Sequence, residues 1–102
     1  MKVFVVGLGL MGASYAMGLT EKGYHVFGYD HQEKILHQAI QYGIIDKESS
    51  LTKLSQVDLI ILALYPHDNI LFVKKYKHLL TKHQCITDIS GTKLEVVSEI
   101  EK

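Results

Sequence analysis

The chain of 102 residues has one cysteine, one proline, and neither tryptophan nor arginine. A single cysteine, Cys85, excludes an internal disulfide, so the fold rests on packing and hydrogen bonds. Its place in the apolar run QCITDI predicts a small buried side chain rather than a reactive thiol. With Pro66 the lone proline and no repeat or low-complexity tract, nothing marks a linker, and residues 1–102 read as one continuous domain. No apolar stretch approaches the roughly 18 to 20 residues of a membrane helix, and the run Val3 to Val6 is too short for a signal-peptide core. The expectation is a cytoplasmic protein with no membrane partner.

There is no excess of charge of either sign, Lys and Asp+Glu each numbering 11, so nothing calls for nucleic acid. The locally basic segment KKYKHLLTKH, residues 74 to 83, reads as a solvated helix face around an apolar stripe. Six histidines, at 25, 31, 37, 67, 78 and 83, include no H-x-x-x-H pair and no cysteine partner at a recognised spacing, so no metal site is expected.

What the chain does contain is an alternation of hydrophobic period. KVFVV (2–6), HVFGY (25–29), LIILAL (59–64) and CITDI (85–89) are short β-branched or aliphatic runs, predicting strands. Between them, spacings of three and four predict helices from Met11 to about Lys22 through Met11, Tyr15, Ala16 and Leu19, and from Gln32 to Tyr42 through Ile35, Leu36, Ala39 and Ile40. Further helices are predicted over His67–Leu80 and Thr92–Glu101; residues 44 to 55 suggest a short strand or turn and then a helical turn near Leu51 to Leu54. Such alternation predicts an α/β, Rossmann-type doubly wound, mostly parallel sheet with helices on both faces. At this size the chain fits one compact domain and is too small for a typical two-domain enzyme.

The first strand runs into GLGLMG, residues 7 to 12, which matches G-x-G-x-x-G. Gly7 suits a tight turn, Gly9 leaves room for a pyrophosphate, and Gly12 lets the helix approach the sheet; Leu8, Leu10 and Met11 complete the loop. A glycine turn alone can be purely structural. Here a strand precedes it, a helix follows, and Asp30 ends the next strand, where a carboxylate can accept from adenosine ribose hydroxyls. The three together favour a dinucleotide cradle. Asp30 would repel a 2′-phosphate and the chain has no arginine to clamp one, so NAD is expected over NADP, although His31 and Lys34 are nearby. Asp30→Ala is expected to weaken NAD binding and leave the fold intact. Tyr65 suits either packing or a wall beside the cofactor.

Taken in order, GLGLMGASYAMGL, GYHVFGYDHQEKILHQAIQYGIID, VDLIILALYP and ITDISGTK resemble the nucleotide-binding half of prephenate dehydrogenases and their arogenate-using relatives. The resemblance implies NAD-dependent oxidation of prephenate or arogenate, coupled to loss of the ring carboxylate, in a protein that pairs this domain with a helical dimerisation domain. It places the pyrophosphate on Gly7, Gly9 and Gly12, the adenosine ribose on Asp30, and the nicotinamide-side ribose on Leu64, Tyr65 and Pro66. The family's catalytic histidine lies in a His-Pro pair that does not occur in these residues, so no catalytic residue is assigned and the chain is expected to bind NAD without turnover. In ITDISGTK, Gly91 stands where the family commonly has a serine, leaving Ser90 as a candidate substrate-side hydroxyl. Two other uses stay open: a free-standing nucleotide-sensing module, and the cofactor domain of a 3-hydroxyacid dehydrogenase, whose fingerprint also reads G-L-G-x-M-G. A surface along Thr92–Glu101 is a possible site of self-association.

Overall fold

The computed structural model describes residues 1–89. The alternating periods become β1 (Lys2–Val6), α1 (Leu10–Glu21), β2 (His25–Tyr29), α2 (Glu33–Gln41), β3 (Leu59–Leu62), α3 (Pro66–Tyr76) and β4 (Cys85–Asp88). Short 3-10 segments at Leu51–Gln56 and Lys77–Leu79 complete the described chain. The strands form one sheet in the order β2-β1-β3-β4, and every neighbouring pair is parallel. From β1 the chain moves outward to β2, then returns past β1 to lay down β3 on its other side. The direction of winding therefore reverses between the carboxyl ends of β1 and β3, where open α/β sheets bind ligands.

Side-chain alternation along β1 supplies both layers. Phe4 and Val6 point into a core with Phe27, Leu54, Ile60, Leu62, Val73 and Ile86, while Val3 and Val5 pack on the other face with Ala16, Val26, Ala39 and Ile61. A strand buried on both faces has no polar alternation to display, which is why KVFVV is almost uniformly apolar.

Three expectations are corrected. Cys85 is exposed, because β4 alternates with Ile86 and Asp88 inward, and Cys85 falls on the opposite phase at the strand's start. On α1 the expected stripe holds only in part: Ala16 is buried and Leu19 packs against the core beside it, whereas Met11 is 58% and Tyr15 44% exposed and Gly12 is buried in their place. The reason is distance, since a Cβ on Gly12 would lie 1.7 Å from the Gly7 carbonyl oxygen and only small residues fit so close an approach. The helix expected to run to Leu80 stops at Tyr76 and finishes as a 3-10 turn.

Residues 44 to 50 form a turn rather than a third strand. Asp46 accepts the Glu48 N–H at 2.7 Å and its carbonyl accepts the Ser49 hydroxyl at 2.6 Å, local bonds that compete with extended pairing. The turn still covers the outer edge of β2, with Asp46 N–H donating to the Val26 carbonyl and Ser49 Oγ accepting from Gly28 N–H. The helix predicted over Thr92–Glu101 lies outside the described residues.

Candidate functional site

The glycine turn sits where the sheet's winding reverses. Gly7 has φ +92°, a left-handed conformation that L side chains avoid, and a Cβ there would come within 3.0 Å of the Ala63 carbonyl oxygen. Gly12 is required by the helix–strand approach already described. Gly9 is different: its φ is −67°, open to any residue, and no atom lies within 4 Å of the place a Cβ would occupy. The fold therefore gives no reason for the middle glycine, and the open space above it borders the first turn of α1.

That turn has amides to offer. The first bond inside α1 runs from Ala13 N–H to the Gly9 carbonyl, so the N–H groups of Leu10, Met11 and Gly12 have no intrahelical acceptor. No side chain caps α1 and no acid lies in its first turn, whereas α2 and α3 begin with Glu33 and Asp68. The end of α1 is thus electropositive and suited to an anion.

Asp30, 8% exposed, holds this arrangement together. Its Oδ2 accepts from Leu8 N–H at 2.9 Å and its Oδ1 from Gln32 N–H at 2.9 Å, tying the glycine turn to the start of α2. His31 Nδ1 lies 3.7 Å from Oδ1 on an exposed ring. A carboxylate has about four acceptor positions, so two backbone bonds leave capacity for a ligand hydroxyl. The expectation that Asp30→Ala spares the fold is corrected, because that change would strand the buried Leu8 N–H.

Two hollows flank Leu64. The first, about 310 Å³, has Gly7, Asp30 and His31 on one side and Phe72, Lys75 and Tyr76 of α3 on the other. The second, about 150 Å³, is lined by Met11, Leu62, Ala63, Asn69 and Asp88 at the ends of β3 and β4. Of the residues expected at a site, Gly7, Asp30, His31, Leu64 and Met11 are brought together here. The Leu8 side chain packs in the core and contributes only its backbone, Leu10 is 88% exposed beside the turn, and Tyr65 is 81% exposed where β3 passes into α3. Pro66 begins α3, where a fixed φ and a missing N–H cost nothing. Ser90 lies outside the described residues.

Sequence reasoning missed Phe72, Lys75, Tyr76, Asn69 and Asp88 as site residues. A signal existed for the first three: they lie four, seven and eight residues after Asp68, a spacing that puts them on one side of α3. Asn69 and Asp88 carried none, because only the fold shows that both are buried, at 3% and 9% exposure, and share one hollow. Among the described residues no group of three or more His, Cys, Asp or Glu could hold a metal ion.

Sheet order, glycine turn, uncapped helix and tethered acid together define a doubly wound domain of Rossmann type. Residues 15–102 match the family described as prephenate dehydrogenase, nucleotide-binding domain, and the chain belongs to that family. It is 34% identical over 100 residues to a prephenate dehydrogenase of Lactococcus lactis subsp. cremoris, a match covering 94% of this chain and 28% of that protein. Its fold is similar to that of the Synechocystis arogenate dehydrogenase, with a TM-score of 0.82, 29% identity, and coverage of 99% of this chain and 37% of the other. It is likewise similar to the prephenate dehydrogenase of Aquifex aeolicus solved with hydroxyphenyl propionate and NAD+, at TM-score 0.78, 28% identity, and the same 99% and 37% coverage. The chain thus spans well under half the length of these relatives. The family match sets the 3-hydroxyacid dehydrogenase alternative aside.

Proposed function

We propose that this chain binds NAD across the carboxyl ends of β1 and β3, as the cofactor-holding part of a prephenate or arogenate dehydrogenase. The observation that carries the reading is Gly9, a glycine that neither backbone nor packing requires, beside three amides without intrahelical acceptors. A pyrophosphate there would accept from Leu10, Met11 and Gly12 N–H groups in the favourable field of α1. The adenosine half would then lie toward β2, its ribose hydroxyls donating to Asp30, and the nicotinamide half toward β3 and β4. NAD supplies the hydride acceptor when bound. The protein's part is to fix the dinucleotide against the sheet ends and to shield one side of it with Leu64.

Asp30 also supports NAD over NADP. Both of its oxygens are tethered to backbone N–H groups, so the carboxylate cannot swing aside to admit a 2′-phosphate. The basic side chains on that hollow are His31 and Lys75, neither of which can offer the paired donors of a guanidinium. Titration of the chain with each dinucleotide tests the reading: saturable NAD binding is expected, with NADP weaker by at least about tenfold, ~1.4 kcal/mol. Failure to bind NAD, or a preference for NADP, would overturn it.

A further inference from the structure

We infer that Asn69 is a positioning residue, which fixes Leu64 where that side chain meets a bound dinucleotide and so orders this part of the site before the ligand arrives; this rests on the NAD-binding reading above. Leu64 lies beyond β3, which ends at Leu62, in the short passage to α3. Connections of this kind are ordinarily more mobile than the elements they join. Here the passage is fastened on both sides. Ala63 N–H donates to the Val6 carbonyl at 2.8 Å, which holds the start of the passage to β1. Leu64 N–H donates to Asn69 Oδ1 at 3.0 Å, which holds the next residue to α3.

Asn69 is a firm partner for that bond. It is 3% exposed, and its own N–H donates to the Tyr65 carbonyl at 2.9 Å, so one residue grips two consecutive residues of the passage. Four positions on, on the same side of α3, Val73 is buried in the core between helix and sheet. The amide is thus carried by a packed helix and not by a loop. The arrangement is related to a capping box, in which a side chain of the first turn reaches back to the helix start. The bond falls, however, on Leu64, one residue before the N-cap Tyr65.

Holding the start of α3 would be a sufficient role if Leu64 were remote from the site. Instead Leu64 stands between the two hollows and lines both. Its Cδ2 atom lies 2.9 Å from the place a Cβ on Gly7 would occupy, so the side chain rests against the glycine turn itself. A displaced Leu64 would alter the wall of each hollow and the cover over that turn together. Ordering a loop on binding costs affinity, and a loop ordered beforehand avoids that cost.

Titration of the full chain with NAD, well below the melting temperature of each variant, compares Asn69→Leu, which is similar in size but has no acceptor, with Asn69→Asp, which keeps one. A role confined to holding α3 would lower the melting temperature and the fraction of competent protein, and would leave the Kd of the folded fraction alone. Positioning moves Kd itself: Asn69→Leu is expected to weaken NAD about tenfold at unchanged stoichiometry, and Asn69→Asp to recover most of that loss. A folded Asn69→Leu with the wild-type Kd, or equal losses in the two variants, would overturn the inference. A measurement on the wild type decides even if the variants do not fold: in hydrogen exchange followed by NMR, Leu64 N–H should be protected before NAD is added. Free exchange of that amide in the unliganded chain would overturn the inference as well. A wild type that binds no NAD would overturn the underlying reading instead.

Discussion

At the scale of single residues, the three glycines of one motif answer to three different constraints. Gly7 is held by backbone conformation, Gly12 by the approach of helix to strand, and Gly9 by nothing inside the protein. Gly9→Ala should leave the melting temperature nearly unchanged and weaken NAD by at least about tenfold, as the added methyl occupies the space over the α1 amides. Gly12→Ala should do the reverse first: overpacking against the Gly7 carbonyl costs about 1–3 kcal/mol and should lower the melting temperature by about 5 °C or more. Asp30→Ala belongs between them. Loss of the acceptor for the buried Leu8 N–H should cost about 1–3 kcal/mol of stability, seen in denaturant melts, alongside a fall in NAD affinity. The motif was legible in sequence as a spacing; which glycine answers to the ligand was not, because that depends on which atoms surround each Cα.

At the scale of elements, the segment after α2 shows how a turn can stand in for a strand. Asp46 bonds Glu48 N–H and His25 Nε2, the latter at 2.7 Å, and these contacts hold its carboxyl below its ordinary value of 3.8. Because folding lowers this pKa, Asp46 contributes stability that is complete above the ordinary value and lost as pH falls through the lower folded one. Asp46→Asn should therefore lower the melting temperature by a few degrees near neutrality, and the difference from wild type should close in strong acid. Melts across that pH range check it; a constant difference would remove the charge from the explanation. Strand and helix types were readable from period two and period 3.6, but the choice between strand and turn after Ile44 was left to the local hydrogen bonds of Asp46 and Ser49, which make it a turn. In α1, spacing gave the element and half of its buried face, Ala16 and Leu19, but not Gly12 in place of Met11 and Tyr15, since the closest approach to the sheet admits only the smallest residues.

At the scale of the whole molecule, the domain makes one half of a chemical statement. It spans 28% of its L. lactis relative and 37% of each solved dehydrogenase cited, so the oxidation of prephenate or arogenate is proposed for the longer protein and binding for these residues. Mixing this chain with NAD and prephenate should give saturable NAD binding without sustained NADH formation, followed by absorbance. Steady turnover would place catalytic groups within these residues.

The sequence by itself determined the class of fold, the position of the phosphate turn and the acid that follows it, because those depend on local period, on glycine and on spacing along the chain. It also carried the family, through four segments that resemble prephenate dehydrogenases, and residues 15–102 match that family. Tertiary structure alone decided that Asp30 is a tether as well as a candidate ribose acceptor, that Cys85 faces outward, and that Asn69 and Asp88 line one hollow. Those outcomes depend on which backbone groups are left unpaired and which residues far apart in sequence are packed together, and no local pattern of residues encodes either.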